Sequence, residues 1–262
     1  MFDFHLHSRV SFDSTEAPCE IIRAAERNGL LEICFTDHYD YNDNKNGHHD
    51  LFSVDDYNKE YSNLSSDLVK IRRGVEFGLT PWNAKELDEL DGKLNFDFII
   101  GSVHYAGGSD PYFKDFWEGI TFDEAVDRYL SQMLTCVREH DNFDVLGHIT
   151  YICKPPLNPT KANLPYRKVR DITDEILKNV ISKGRGIEVN TSGVDRIGDY
   201  LPSFDYVKRY FELGGEIITV GSDSHDRSRV GQYTSDAIKL ISEFSPYICT
   251  FEGRKPIFHK IR

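Results

Sequence analysis

Two short segments, one near each end of the chain, carry metal-binding side chains two residues apart. His5 and His7 form the first pair, and Asp223 and His225 form the second. In an extended strand, residues i and i+2 point to the same side, so each pair directs both side chains into one space. Imidazole and carboxylate groups gathered in this way predict a metal site.

Side chains of the same kinds recur where other strand-like runs end. Six of the ten histidines lie at the carboxyl ends of such runs: His5, His7, His38, His104, His148 and His225. Glu76 lies inside the third run, and Asp37 directly precedes His38. Because the carboxyl ends of parallel strands form the functional face of α/β folds, we predict that these side chains converge. Four histidines are expected to be ordinary surface or core residues: His48, His49, His140 and His259.

The candidate ligands are nitrogen and oxygen donors without thiolates, a combination that suits Zn²⁺, Mn²⁺ or Fe²⁺. The six histidines, Glu76 and Asp223 already make eight side chains, more than one four- to six-coordinate ion can use. The sequence therefore predicts two or three divalent metal ions. Ions about 3.5 to 4 Å apart hold an attacking hydroxide and a phosphoryl oxygen together. Phosphoester hydrolysis is the reaction that such a site serves best.

The elements that must position these residues alternate between strand-like and helical patterns. Seven apolar, β-rich runs are predicted as strands: Phe2–His7, Glu32–His38, Gly74–Leu79, Phe96–His104, Phe143–Ile149, Gly186–Thr191 and Glu216–Asp223. Strands separated by helices pair in parallel through crossover connections. The pattern therefore predicts an α/β fold, either a barrel or a doubly wound sheet.

The helices have recognisable ends. Thr121 and Glu124 form a capping box that predicts a helix running to about His140, and Asn28-Gly29 ends another that begins at Pro18. Further helices are predicted at 55–71, 83–91, 166–183, 203–213 and 232–243. Two polar or proline-rich segments, 39–53 and 154–165, follow strand ends and are expected to be loops that shape a substrate pocket.

The composition sets the class of protein. The chain has 262 residues, of which 39% are apolar and 28% charged, and no linker or repeat is visible, so we expect one soluble domain spanning 1–262. A formal net charge of −12 argues against binding to nucleic acid. Five widely spaced cysteines are typical of a reducing compartment. No signal peptide or membrane-length apolar run is present, which predicts a cytoplasmic protein without membrane contact and with no implied protein partner.

Seven motifs, in order along nearly the whole chain, resemble those of the PHP (polymerase and histidinol phosphatase) superfamily: HLHS at 5–8, FTDHYD at 35–40, GVEFG at 74–78, GSVHY at 101–105, GHITY at 147–151, EVNTSG at 188–193 and GSDSH at 221–225. This resemblance implies a distorted (β/α)₇ TIM-like barrel with a trinuclear metal centre. The chain length, FTDHYD and EVNT are most similar to the monofunctional histidinol-phosphate phosphatases. A phosphomonoesterase of histidine biosynthesis is therefore the implied activity.

The resemblance also implies a ligand set. One ion would be held by four residues: His5, His7, Glu76 and Asp223. Glu76 would bridge to a second ion at His104 and His148. A third ion would take His38, His225 and Asp13, although some family members have histidine at the place of Asp13. The mechanism expected from such a centre is in-line attack of a metal-bridging hydroxide on phosphorus. The leaving alcohol would take its proton from a metal-bound water, from Asp37 or from His225.

The phosphate-binding residues depart from the family pattern. Family members tend to have arginines after the fifth and sixth strands, whereas this chain has Lys154 and Ser192 at these places. Lys154 is a point charge without the two-pronged geometry of arginine. Arg196 is a candidate replacement, and Arg9 is expected either to contact phosphate or to form a surface salt bridge. Aromatic residues near the motifs either stack on a substrate ring or pack at the barrel mouth: Tyr39, Tyr41, Trp82, Tyr105 and Tyr151.

Two alternatives to a small-molecule phosphomonoesterase stay open. The first is a related phosphoesterase acting on nucleotides or single-stranded DNA ends, against which the acidic balance counts. The second is a metal-binding module without catalytic activity, against which the nearly complete ligand set counts. Phosphate release from histidinol phosphate and from nucleotides separates these classes.

Overall fold

Parallel strands surround the interior of the molecule. The computed structural model describes residues 1–41, 50–155 and 158–261. Its main sheet contains β1 (Phe2–Leu6), β2 (Glu32–Phe35), β3 (His38–Asp40), β4 (Lys70–Gly78), β5 (Phe98–Ser102), β6 (Val145–Leu146), β7 (Gly186–Asn190) and β8 (Ile218–Gly221). The strand order is β1-β2-β4-β5-β6-β7-β8, with the short β3 paired to β4, and every pair is parallel.

The first and last strands of this sheet lie side by side. The Asp223 amide donates to the His5 carbonyl, and the His7 amide donates to the Ser224 carbonyl, both at 2.9 Å. Leu6 and Ser224 form a parallel bridge between these bonds. The sheet is therefore a nearly closed barrel of seven strands, and the prediction of a (β/α)₇ barrel is confirmed. The two segments that carry paired ligands become neighbours.

Helices connect the strands and cover the barrel. They are α1 (Pro18–Arg27), α2 (Val54–Tyr61), α3 (Ala84–Leu94), α4 (Phe122–Glu139), α5 (Arg170–Ser182), α6 (Val194–Ile197), α7 (Phe204–Glu212) and α8 (Thr234–Ile241). Short 3₁₀ turns lie at Lys114–Trp117, Tyr151–Cys153, Tyr166–Lys168 and Arg227–Arg229. The capping box of α4 forms as predicted, with Glu124 and Thr121 bonded to each other's backbone. None of the helices in the described ranges is long and apolar enough to cross a membrane.

The barrel interior changes from apolar to polar along its axis. On β5, Phe98 and Ile100 belong to an apolar cluster inside the barrel, whereas Ser102, two residues further on, donates a hydrogen bond of 2.6 Å to Glu76. Alternate residues of a strand share one face, so these three side chains form successive layers. The candidate ligands therefore lie at the carboxyl ends of the strands, above an apolar floor.

A C-terminal hairpin, which the sequence did not predict, closes the opposite end. Strands β9 (Tyr247–Glu252) and β10 (Lys255–Lys260) pair in an antiparallel fashion. Cys249 and Phe251 pack with the floor residues: Phe4, Cys34, Phe98, Ile100 and Val145. Arg254 in the turn donates its amide to the Asp97 carbonyl and its Nε to Asp144, which precede β5 and β6. These contacts anchor the hairpin at the amino ends of the strands.

Two predicted elements are wrong in their extent. The strand predicted over Glu32–His38 breaks at residues 36–37 into β2 and β3. The helix predicted over 55–71 ends at Tyr61, and β4 already begins at Lys70. In between, the Ser66 hydroxyl accepts hydrogen bonds from the amides of residues 68 and 69, each at 3.1 Å. Such local side-chain bonds compete with helical hydrogen bonds and favour a turn.

The remaining elements differ from prediction mainly at their ends. Most strands are shorter than predicted, as in β6, which has only two residues, whereas β4 is longer because it begins at Lys70. The helix predicted over 166–183 is a 3₁₀ turn followed by α5. Part of the loop predicted over 39–53 forms β3, and residues 42–49, with His48 and His49, lie outside the described residues. The loop predicted over 154–165 has no helix or strand in its described residues, which exclude 156–157.

Candidate metal centre

The carboxylate of Glu76 lies at the centre of the predicted ligands, because β4 is a central strand and directs this fully buried side chain into the barrel. Its Oε2 is 3.0 Å from His5 Nε2, 3.4 Å from His7 Nε2 and 3.2 Å from His38 Nδ1. His5 and His7 come from the end of β1, and His38 comes from β3. Three predicted ligands therefore meet at one oxygen.

The second oxygen of Glu76 faces two more of the predicted histidines. Oε1 is 2.8 Å from His148 Nε2 and 3.2 Å from His104 Nε2, and these two nitrogens are 3.4 Å apart. Both histidines follow the carboxyl ends of neighbouring strands, β6 and β5. Glu76 therefore lies between two groups of imidazoles, the position that a bridging carboxylate needs.

The segment that follows β8 completes the cluster on the side of His7. Asp223 Oδ1 is 3.4 Å from His7 Nε2, and His225 Nε2 is 2.9 Å from Asp13 Oδ2. Asp13 also lies 3.7 Å from His38 Nε2. The backbone of Asp223 has φ of 52°, a left-handed conformation that non-glycine residues rarely adopt. Strain of this kind is concentrated at functional sites.

Hydrogen bonds to the outer nitrogens determine which histidine nitrogen faces inward. His5 Nδ1 lies 2.5 Å from Glu188 Oε1, and His104 Nδ1 lies 3.1 Å from Asp40. Each carboxylate accepts the Nδ1 proton, so the assigned tautomer leaves the lone pair of Nε2 directed at Glu76. A lone pair opposite a carboxylate oxygen at about 3 Å is unfavourable unless a cation or a proton lies between them.

The same reasoning applies to His7 through Ser11. The Ser11 hydroxyl donates to Asp37 at 3.1 Å, so it accepts from His7 Nδ1 at 3.0 Å. The buried His7 Nε2 then makes no hydrogen bond among the described residues, although oxygens of Glu76 and Asp223 each lie 3.4 Å away. Burial and the neighbouring imidazoles hold the pKa of His7 well below its usual value. A neutral imidazole with a free lone pair fits a metal ion.

The charges of the cluster agree with this fit. Burial alone would raise the pKa of Glu76, but the histidines around it hold that pKa well below its usual value. Burial would likewise lower the pKa of His5, which Glu188, Glu76 and Asp223 instead raise well above its usual value. The carboxylates therefore require positive charge among them, which bound ions supply as well as protons do.

Four groups of three ligand atoms, each group within 4.8 Å, occur in the described residues: His7, His38 and His225; His5, His7 and Glu76; His38, Asp40 and His104; and Glu76, His104 and His148. These groups share members, as expected for ions close to one another. The residues present therefore fit a centre of more than one divalent ion.

Two residues of this cluster were missed in the sequence analysis. Asp40 lies 3.3 Å from His38 Nδ1 and 3.1 Å from His104 Nδ1, and the signal for it was its place two residues after His38 in FTDHYD. Glu188 holds His5 and accepts the His148 amide at 3.0 Å. Its signal was a buried-strand carboxylate, since Glu188 lies between Ile187 and Val189.

Asp37, predicted as a proton donor to the leaving group, does not reach the cavity. Its fully buried carboxylate accepts hydrogen bonds from the Ser8 amide at 2.7 Å, the Ser11 amide at 3.2 Å, the Ser11 hydroxyl and the Tyr61 hydroxyl. The prediction is corrected: with these donors around it, Asp37 fixes the loop after β1 and acts on His7 through Ser11.

Arg9, predicted to contact phosphate or to form a surface salt bridge, does the second. Its guanidinium donates to Glu60 at 3.0 and 2.7 Å, and the side chain is 55% exposed. It does not line the cavity over the cluster. The assignment of Arg9 to phosphate binding is therefore corrected.

A cavity of about 470 Å³ opens over the cluster. Three cationic side chains line it: Lys154, Arg196 and Arg229. Lys154 Nζ pairs with Asp223, and Arg229 pairs with Asp195 at 3.2 Å. Arg196 makes no side-chain hydrogen bond or ion pair with the described residues, so its charge is available to a ligand.

Ser192, which occupies the place of a family arginine, instead donates to Asp223 at 3.2 Å. Arg229 was missed, and only its place four residues after His225 pointed to it.

The aromatic candidates separate into two groups. Tyr105 and Tyr151 line the cavity, together with three rings that the sequence analysis did not single out: Phe12, Tyr112 and Phe113. Tyr39 packs against Tyr41 and the core residues Phe52 and Phe77, and Trp82 lies outside the cavity. The cavity therefore has the polar ligand cluster at its base and aromatic side chains along its wall.

Comparison with known proteins matches this architecture to one family, since residues 3–192 match the PHP domain. The chain belongs to the PHP domain family. A Clostridium acetobutylicum protein named as a probable histidinol-phosphatase is 33% identical over 97% of this chain and 98% of that protein. The histidinol-phosphatase of Lactococcus lactis subsp. lactis is 31% identical over 97% of this chain and 95% of that protein. The predicted membership of the superfamily is confirmed.

Solved structures have the same fold. The crystal structure of histidinol phosphate phosphatase from Lactococcus lactis, complexed with zinc, L-histidinol and phosphate, is 30% identical and has a TM-score of 0.86 over 98% of both chains. A Listeria monocytogenes structure that is 18% identical has a TM-score of 0.70, covering 90% of this chain and 99% of its own. The PHP barrel is thus shared over almost the whole length.

Proposed function

We propose that this PHP protein hydrolyses L-histidinol phosphate to L-histidinol and phosphate, using two or three divalent ions. The observation that carries the proposal is Glu76, whose two oxygens each face imidazole nitrogens of different groups. The relatives named as histidinol-phosphatases, and the zinc, histidinol and phosphate in the Lactococcus structure, support the same substrate.

The chain supplies ligands for three positions. His5, His7, Glu76 and Asp223 would hold one ion, and Glu76, His104 and His148 a second, for which Asp40 holds the outer nitrogen of His104. His38, His225 and Asp13 would hold a third. When bound, such ions lower the pKa of water for attack on phosphorus and offset the negative charge that develops on the phosphoryl oxygens.

Cations of the chain complete the binding of phosphate. Arg196 carries an available guanidinium at the cavity wall, and Lys154 adds a second positive charge beside Asp223. A guanidinium can donate two parallel hydrogen bonds to phosphoryl oxygens. These groups would hold the phosphate over the ligand cluster and leave the alcohol part of the substrate toward the aromatic wall.

His225 is the chain's own candidate for the proton that the leaving alcohol needs. It is 26% exposed on the side chain, lines the cavity and faces Asp13 with Nε2. An imidazole that binds a metal ion through Nε2 cannot also donate from that atom. His225 therefore has one of the two roles at a time, and its substitution affects both metal content and activity.

Free cysteines support a reducing, cytoplasmic location. The five cysteines are unpaired, and four of them are buried. Disulfides are the rule for exposed pairs in oxidising compartments, whereas buried thiols without partners are typical of reducing ones. The absence of a nucleic-acid partner stays a prediction from the acidic composition, and no protein partner is implied by the sequence.

The proposal is tested by phosphate release from L-histidinol phosphate beside a panel of nucleotides and sugar phosphates. Protein stripped by a chelator should be inactive and should regain activity when Zn²⁺, Mn²⁺ or Fe²⁺ is returned, with elemental analysis giving the number of ions. Release from nucleotides without release from histidinol phosphate would favour a nucleotide phosphoesterase. Activity that survives complete removal of metal would contradict the metal-dependent mechanism.

A further inference from the structure

The cavity wall contains, besides the cationic residues, a carboxylate that the proposed reaction does not use. Asp110 follows β5 and lines the cavity together with Tyr105, Tyr112 and Phe113. Phosphate carries negative charge, so a carboxylate in its binding cavity is unfavourable unless it faces another part of the substrate. We therefore expect Asp110 to face the alcohol part of the substrate and not its phosphate.

Asp110 is held in place by one of its two oxygens. Oδ1 accepts hydrogen bonds from the Tyr112 amide at 2.7 Å and from the Tyr151 hydroxyl at 3.2 Å. No donor among the described residues bonds to Oδ2. Burial raises the pKa of Asp110 to about 6, so the ionised carboxylate gains from a cationic partner. The carboxylate of Asp110 is therefore fixed in position through Oδ1, while Oδ2 can accept a hydrogen bond from a ligand.

The distance of Asp110 from the ligand cluster corresponds to one tyrosine side chain. The ring of Tyr151 lies 5.0 Å from that of His148 and 5.2 Å from that of His104, and its hydroxyl points to Asp110. A substrate whose phosphate lies over the cluster would extend along Tyr151 with its far end at Asp110. The exposed rings of Phe12, Tyr112 and Phe113 border this path.

We propose that Asp110 is a specificity residue, which accepts a hydrogen bond on Oδ2 from an ammonium or imidazolium group of the substrate and so selects cationic phosphomonoesters. This rests on the proposed function, since the phosphate must occupy the end of the cavity that the metal ligands line. L-Histidinol phosphate carries both an ammonium and an imidazole beside its ester. The aromatic rings around Asp110 strengthen the contact by excluding water and by facing a cation.

The test compares Asp110→Asn with the wild-type protein on two substrates, L-histidinol phosphate and p-nitrophenyl phosphate, which has no cationic group. Asparagine keeps an oxygen for the Tyr112 amide, whereas it removes the charge and replaces the Oδ2 acceptor by an NH₂ donor. We expect KM for histidinol phosphate to rise roughly ten- to hundredfold, with a change in kcat several times smaller. The ratio of kcat/KM for the two substrates should fall by the same factor.

Asp115→Asn is the matched control, because it removes one charge from the same segment at an exposed position outside the cavity. It should leave the substrate ratio unchanged. Equal losses on both substrates in Asp110→Asn, or no change in KM, would overturn the specificity role. Failure of the wild-type protein to hydrolyse histidinol phosphate while it hydrolyses p-nitrophenyl phosphate would instead overturn the proposed function, so the two failures are distinguishable.

Discussion

Three inward-facing histidines are oriented by an acceptor on the outer nitrogen, and these acceptors differ. Glu188 holds His5, Asp40 holds His104, and Ser11 holds His7. A fixed tautomer directs the lone pair at the metal position and raises the basicity of the ligand. Glu188, Asp40 and Ser11 are therefore expected to contribute to metal affinity through their hydrogen bonds to the ligands.

Replacement of Ser11 by alanine should weaken metal binding without removing a ligand. The variant loses the acceptor for His7 Nδ1 and the link from Asp37. Loss of such a partner typically costs roughly ten- to hundredfold in metal affinity. Competition with a chelating zinc dye measures the affinity. Ser65→Ala, at an exposed position, is the control, and equal affinities of both variants would contradict the assigned role of Ser11.

Arg196→Ala should raise KM for histidinol phosphate by roughly tenfold, because one charge-assisted contact to phosphate is lost. Metal content should stay constant, since Arg196 forms no side-chain hydrogen bond or ion pair with the candidate ligands among the described residues. Steady-state kinetics and elemental analysis of the same preparation check both expectations. Arg9→Ala removes an arginine that is already paired with Glu60 outside the cavity, and it should behave as wild type. A KM unchanged by Arg196→Ala would exclude Arg196 from phosphate binding.

His104→Ala should lose bound metal and activity together. His104 lies between Glu76 and Asp40 and belongs to two of the ligand groups. Its removal opens a buried space beside two carboxylates and leaves them without a shared cation. His259→Ala, at the C-terminal hairpin, is the matched control and should keep both properties. Full activity with a normal metal content in His104→Ala would contradict the composition of the cluster.

Most ligand candidates could be predicted because strand periodicity and the parallel fold place residues such as His5, His148 and His225 at one end of a barrel. Asp40 and Glu188 could not be predicted in the same way, since the sequence does not tell whether a carboxylate near a strand end binds a metal or orients a metal-binding residue. Asp37 was assigned wrongly for a related reason. Its side chain turns into the loop after β1, and the break between β2 and β3 that permits this has no sequence signal of its own.

At the level of elements, the C-terminal hairpin covers the apolar cluster at the amino ends of the barrel strands. Phe251 is fully buried among side chains of four different strands, and its turn is anchored by Arg254. The sequence gives little warning of it, because Gly253 and Arg254 both adopt positive φ, which arginine rarely does. Tertiary contacts to Asp97 and Asp144 therefore stabilise a turn that local propensity does not predict.

Phe251→Ala should destabilise the protein by about 3 to 5 kcal/mol, the range for removal of a buried phenylalanine. Chemical denaturation of the metal-loaded variant measures the free energy of unfolding. The matched control is Phe258→Ala on β10, whose side chain is 45% exposed and should cost far less. Similar losses from both substitutions would contradict the role of the hairpin as a buried floor.

At the level of the whole molecule, metal binding and folding stability are coupled. The candidate ligands come from both ends of the barrel sheet and from strands between them, so only the folded chain presents the complete set. A ligand that binds the native state alone stabilises it in proportion to the logarithm of its concentration over Kd. Bound ions also relieve the repulsion among buried carboxylates.

Removal of metal by a chelator should therefore lower Tm by roughly 5 to 15 °C, and return of Zn²⁺ should restore it. Differential scanning calorimetry of the stripped and reloaded protein measures the shift. Glu76→Gln supplies the matched comparison, because it weakens the central contact and should show a smaller difference between the two states. Identical Tm values for stripped and zinc-loaded wild-type protein would contradict the coupling.

The overall architecture was more predictable than its details. Alternating strands and helices predicted parallel pairing but left a barrel and a doubly wound sheet open, and the resemblance to the PHP superfamily favoured the seven-stranded barrel that the structure has. Element ends did not follow from pattern, as the helix that stops at Tyr61 shows, because Ser66 bonds to nearby amides in a way that periodicity does not reveal. The assignment of residues 1–262 to one domain stays a prediction.

The pairing of the first and last barrel strands also has a consequence for the order of synthesis. His5 and His7 are synthesised before Asp223 and His225, which are added more than two hundred residues later. At roughly 5 to 20 residues per second, this interval lasts on the order of tens of seconds. During that time the early histidines lack their partners and are open to any ion in the cell. The metal site is therefore assembled late in the synthesis and folding of this protein. A chain that stops before Asp223 lacks two of the candidate ligands.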